Sequence, residues 1–146
     1  MTHPAFTSDS VASITGGASG IGLAVARRFA GMGMRIVIID HRADLLDDAA
    51  GALKQAGSPE VMTSSVDVSD VDAVLDLEQS IIDRFGGTDI LLNNAGIQPG
   101  SSLFSDDETW HRILDVNLWG VMNFSRVFGP AMAKRGRPGA IINTGS

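Results

Sequence analysis

The 146-residue sequence contains no cysteine and no tyrosine, and its only lysines are Lys54 and Lys134. Without a thiol, disulfides, thiolate metal sites and a cysteine nucleophile are excluded, and the composition fits a reducing compartment. With so few lysines and a formal net charge of -6 there is no basic stripe, which argues against nucleic acid or an anionic membrane as partner. No apolar run approaches the ~20 residues that span a bilayer. Residues 1–10 have neither a basic start nor an apolar stretch, so no secretory signal is expected and the cytoplasm is the expected compartment. His3, His41 and His111 are too scattered for a metal cluster or a Ser/His/Asp triad, and they read as surface or cap residues.

What is present is ordinary for a soluble globular chain: 44% hydrophobic and 19% charged residues. The length suits one domain over 1–146, which buries about two thirds of its unfolded surface. Short apolar runs alternate with longer helical patterns, the layout of a parallel sheet covered by helices on both faces. Strand-like runs occur around Val11–Ile14, Arg35–Ile39, Glu60–Val66, Asp89–Asn93 and Ala140–Thr144. Between them, Ala43–Ala56 carries the stripe Leu45, Leu46, Ala49, Ala50 and Leu53. Val71, Val74, Leu75, Ile81, Ile82 and Phe85 give another apolar face. Ser69 with Asp72, and Ser105 with Glu108, resemble capping boxes. The second opens a long helical segment towards Lys134, which Pro130 should kink or interrupt. Trp110 and Trp119 within it read as packing residues, Trp119 alternatively as a subunit contact.

The most informative segment is Thr15-Gly16-Gly17-Ala18-Ser19-Gly20-Ile21-Gly22, placed where the first strand gives way to a helix. Glycines at 16, 20 and 22 allow a tight turn, close approach of a bound pyrophosphate, and close packing of the helix on its strand. The helix amino end adds unpaired N–H groups and a positive dipole. Asp40 stands at the end of the second strand, eighteen residues beyond Gly22, where a dinucleotide site needs a carboxylate for the ribose hydroxyls. Its competing reading is an N-cap on the next helix. The fold class implied is α/β, a doubly wound parallel sheet of the Rossmann type.

The glycine segment, Asn93-Asn94-Ala95-Gly96, Asn117, and Ile142-Asn143-Thr144-Gly145-Ser146, in this order and spacing, resemble the short-chain dehydrogenase/reductase family. The resemblance covers the whole chain but about the first half of a family member, so the sheet is expected to be truncated after the fifth strand. It implies that Gly16, Ser19, Gly20, Ile21 and Gly22 line the pyrophosphate and adenosine ribose. It implies further that Asp67 accepts from the adenine amino group with Val68 beside it, and that Asn94, Ala95 and Gly96 flank the ribose and nicotinamide. For Asp67 a turn residue ahead of the next helix is the alternative. Asn117 is the family's water-holding asparagine or a solvated polar residue, and its mid-helix place makes a local distortion plausible. Ser146 matches the serine that hydrogen-bonds the substrate oxygen as charge develops. Thr15 is expected to tie the first strand to the fourth through its hydroxyl.

Asp40 favours NAD over NADP, because its charge repels a 2′-phosphate and Ser19 stands where NADP-preferring relatives carry a basic residue. Arg42 is an alternative phosphate clamp, or a solvated helix-start charge. The family's catalytic tyrosine and lysine have no counterpart here. Two readings stay open: part of an NAD(H)-dependent oxidoreductase acting on a small alcohol or ketone, a homodimer or homotetramer at full length, or a non-catalytic dinucleotide-binding or regulatory protein. A methyl transferase with a similar turn is disfavoured by Asn93–Gly96 and Asn117. A sheet ending at its fifth strand would expose apolar surface, so the chain alone is expected to associate.

Overall fold

A computed structural model of the chain describes residues 3–145. The order of elements is β1 (Val11–Thr15), α1 (Gly20–Ala30), β2 (Arg35–Asp40), α2 (Ala43–Gln55), β3 (Val61–Ser65), α3 (Val71–Phe85), β4 (Ile90–Asn93), α4 (Asp107–Leu114), a π-helical segment (Asp115–Trp119), α5 (Gly120–Lys134) and β5 (Ala140–Asn143). The five strands form one parallel sheet in the order β3-β2-β1-β4-β5. The order reverses at β1, which places the ends of β1 and β4 beside a crevice, the position at which open α/β sheets bind ligands.

Strand alternation sorts the core into two layers. Ile14, Ile36, Ile38, Ile90 and Leu92 face α1 and α2, where they meet Ala26, Phe29, Leu46 and Leu53. Val11, Val37, Ile39 and Leu91 face the other way, onto Val74, Leu77, Ile81, Phe124 and Phe128 of α3 and α5. Each fully buried large side chain contributes about 1.5–3 kcal/mol. The polar residue Asp89 anchors one end of the sheet: its Oδ2 accepts from Val11 N at 2.9 Å and its Oδ1 pairs with Arg135 at 2.8 Å.

Several expectations are corrected. The cap of α3 is Asp70, which accepts from the Asp72 and Ala73 amides, and not Ser69. Ser69 is unavailable because its hydroxyl donates to Asp67 at 2.7 Å. Likewise Asp106, and not Ser105, caps α4 by accepting from Thr109 N. The buried stripe of α3 is Val74, Leu77, Ile81 and Phe85, while Val71, Leu75 and Ile82 are exposed. Pro130 lies inside α5 without ending it. The long helix is instead interrupted at the π-helical segment, which surrounds Asn117. Trp110 and Trp119 are about half exposed and do not pack in the core. β5 forms one edge of the sheet, with Ile141 and Ile142 exposed.

Candidate functional site

The turn between β1 and α1 is built by glycines with different tasks. Gly20 has φ 52 and open space where a side chain would stand. Gly22 is a packing glycine: a Cβ there would lie 2.2 Å from the Gly16 carbonyl oxygen and 2.7 Å from Asn94 Nδ2. Ser19 stands at the N-cap of α1 without a side-chain capping bond, and the first turn of α1 carries no acidic residue. The positive helix end therefore has no carboxylate of its own to neutralise it.

Thr15 ties β1 to the segment after β4, because its Oγ1 accepts from Asn94 N at 2.9 Å and Ala95 N at 3.0 Å. Asn94 returns the connection through Nδ2, which donates to the Thr15 and Gly16 carbonyls. The glycine turn and Asn94–Gly96 are thus one rigid wall.

Asp40 is buried at the end of β2. Its Oδ2 accepts from Ala18 N at 3.2 Å and its Oδ1 from Arg42 N at 3.1 Å, so it holds the loops on both sides. It is not the N-cap of α2, a place taken by Arg42 without a side-chain bond. The Arg42 guanidinium lies 3.4 Å from Asp44, and His41 Nδ1 lies 3.4 Å from Asp40 Oδ1.

Asp67 makes the bonds of a turn residue and also faces the groove. Its Oδ1 accepts from Ser69 N and Oγ, the bonds of a turn residue, while its Oδ2 pairs with Arg112 at 2.9 Å. Partial burial pushes its carboxyl up, but the Ser69 bonds and the Arg112 cation outweigh this and leave it below the usual carboxylate range.

A groove of about 400 Å³ collects these residues. Gly16, Ser19, Gly20, Ile21, Asp40, Asp67, Val68, Asn94, Ala95 and Gly96 line it. Gly22 sits behind the turn, and Asn117 stands beside the groove. The Asn117 side chain is committed to Ile97, accepting from its N–H at 2.8 Å and donating to its carbonyl at 2.9 Å. Ser146 lies outside the described residues. Sequence reasoning missed Arg112, Ile97 and Val116, which also line the groove, and Asn123, whose Nδ2 donates to the Val68 carbonyl at 3.1 Å. The spacing 112, 116, 120, 123 puts four of the long helix's residues on one side, a signal that was available. A second cavity of about 450 Å³, between α3 and α5, contains none of the expected site residues. Among the described residues no cluster of metal-ligating side chains occurs.

The comparisons with known proteins agree with this geometry. The family described as short chain dehydrogenase matches residues 10–146. The galactitol 2-dehydrogenase (L-tagatose-forming) of Cereibacter sphaeroides is 40% identical over 136 residues, 92% of this chain and 52% of that protein. The structure of a short chain dehydrogenase/reductase from Burkholderia phymatum in complex with NAD superimposes with a TM-score of 0.90 at 34% identity, covering 100% of this chain and 51% of that one. L-Sorbose reductase from Gluconobacter frateurii, complexed with NADPH and L-sorbose, gives a TM-score of 0.87 at 36% identity, covering 97% of this chain and 54% of that one. The chain spans about half the length of these relatives. The match over nearly all of its residues establishes that the chain belongs to the short chain dehydrogenase family.

Proposed function

We propose that the chain forms the dinucleotide-binding part of an NAD(H)-dependent oxidoreductase that interconverts a small secondary alcohol and its carbonyl compound. The observation that carries this reading is the buried Asp40 carboxylate, held by two loop amides at the rim of the groove. A fixed acceptor of this kind suits the two free hydroxyls of an adenosine ribose, and its charge opposes a 2′-phosphate. The amides at the uncapped start of α1 suit a pyrophosphate.

The bound nicotinamide would supply the hydride chemistry. The chain's own residues hold and orient it. Asn94, Ala95 and Gly96 form the wall beside it. Asn117 is a positioning residue that fixes the Ile97 backbone through both of its amide bonds. Ser146 would hydrogen-bond the substrate oxygen as charge develops there. The proton at that oxygen is not handled by a tyrosine of these residues, since the sequence has none. A homodimer or homotetramer is the proposed assembly.

Calorimetric titration with NADH and NADPH tests the reading. NADH should bind more tightly, and Asp40→Ala should weaken NADH about tenfold, the loss of a charged hydrogen bond, while narrowing the gap to NADPH. Equal NADH affinity in the two proteins, with the variant's thermal melt confirming its fold, would remove Asp40 from the site.

A further inference from the structure

We propose that the cavity between α3 and α5 is a second binding site, for a small apolar molecule that carries a cationic amine, with Glu78 as its anchor. The inference goes beyond the proposed function and does not depend on it.

The cavity measures about 450 Å³, a size that suits a small organic ligand. It is remote from the dinucleotide groove. Gly86, Gly87 and Thr88 line it and lead into the start of β4, whereas the groove lies beyond the far ends of the strands. Ile82 of α3 and Val127, Phe128, Ala131 and Met132 of α5 give it apolar walls. Gly86 and Gly87, both at positive φ, end α3 in a turn that puts no side chain into this space.

Glu78 is the one carboxylate among the lining residues. Partial burial pushes its carboxyl up, and neither a hydrogen bond nor a neighbouring cation acts against this. The arginines close to it in the fold are engaged elsewhere: Arg135 holds Asp89 at 2.8 Å, and Arg84, in the last turn of α3, pairs with Glu60 at 2.7 Å. Lys134 is exposed on the opposite wall and makes no ion pair with Glu78 among the described residues. Helices α3 and α5 each join two parallel strands, so both run antiparallel to the sheet and both bring their carboxyl ends, with the partial negative charge found there, to this cavity. A carboxylate drawn out of water without a partner, beside two negative helix ends, calls for a cationic N–H donor. The apolar walls take the body of the molecule that carries it.

The test uses three probes that share one ring and differ in the charge at its end: phenethylamine, 2-phenylethanol and 3-phenylpropionate. They are titrated into the full chain and followed by amide shifts in two-dimensional NMR. The amine should bind about tenfold more tightly than the alcohol, the acid most weakly, and the amides of Gly86, Gly87 and Thr88 should move. Glu78→Gln should bring the amine down to the affinity of the alcohol. Ala131→Leu, which fills the apolar wall and leaves the charge in place, should weaken amine and alcohol alike. Carbon-13 titration of Glu78 in the wild-type protein should show its carboxyl moving down when the amine is bound. Equal affinity for amine and alcohol, no binding of any probe, an unchanged amine affinity in Glu78→Gln, or displacement of the amine by NADH overturns the site. The comparison of probes and the Glu78 titration need only the wild-type protein, so they decide the question where a variant fails to fold.

Discussion

At the scale of single residues, one glycine pattern conceals two different physical demands. Gly22→Ala should destabilise the protein by about 3 kcal/mol, because its new methyl group meets the Gly16 carbonyl and backbone cannot move aside as a side chain can. Gly20→Ala meets no neighbour and carries only the strain of its left-handed backbone, about 1 kcal/mol. Guanidinium denaturation of the two variants checks the ranking, and equal midpoints would contradict it. The positions of Gly16, Gly20, Gly22 and Asp40 were legible in the sequence, since turn chemistry and strand ends are local properties. The pairing of Arg112 with Asp67 was not, because it joins residues on separate elements that only the folded sheet brings together.

At the scale of elements, the caps show how local chemistry decides between neighbours. Asp70→Ala should cost about 1 kcal/mol by freeing the Asp72 and Ala73 amides, whereas Ser105→Ala should leave the start of α4 intact because Asp106 caps it. Urea denaturation followed by circular dichroism measures both. The serine-based capping boxes failed because each has an aspartate one residue later, and Ser69 is already engaged with Asp67. The acid side of the stability profile follows from the same bonds. Asp67 and Asp106 both have carboxyls below the usual range, Asp67 through Ser69 and Arg112 against a partial-burial penalty, Asp106 through Thr109. Groups depressed on folding contribute stability above their unfolded pKa and lose it as the pH falls through the folded value. Acidification below the ordinary carboxylate range should therefore lower the melting temperature, and less so in Ser69→Ala, which lacks the hydroxyl bond to Asp67. The π-helical segment was legible only as an uncomfortable asparagine in mid-helix. Its place was signalled by Asn117, but the two bonds that Asn117 makes to the Ile97 backbone join segments twenty residues apart and were not.

At the scale of the whole molecule, alternation of short apolar runs with helical stretches was enough to order the elements, and the two core layers follow from which side each strand residue faces. What remains exposed is also informative. Leu114, Leu118, Trp119 and Met122 present apolar surface along one continuous helical stretch, and Ile141 and Ile142 do so at the β5 edge. Surface of this kind favours association, so sedimentation velocity should show the chain self-associating, and Trp119→Ser should reduce it. A compact monomer at micromolar concentration would refute this. The segment Asp115–Trp119 ties the molecule together in a further way. Removing one residue from it would not merely shorten a helix. It would let the wide turn close as ordinary α-helix, leaving Phe124 and Phe128 on the sheet while shifting Asn117 relative to the Ile97 backbone that it holds. Chain length there is thus geared to the contact beside the groove rather than to the core, and a single-codon deletion would loosen the first while sparing the second.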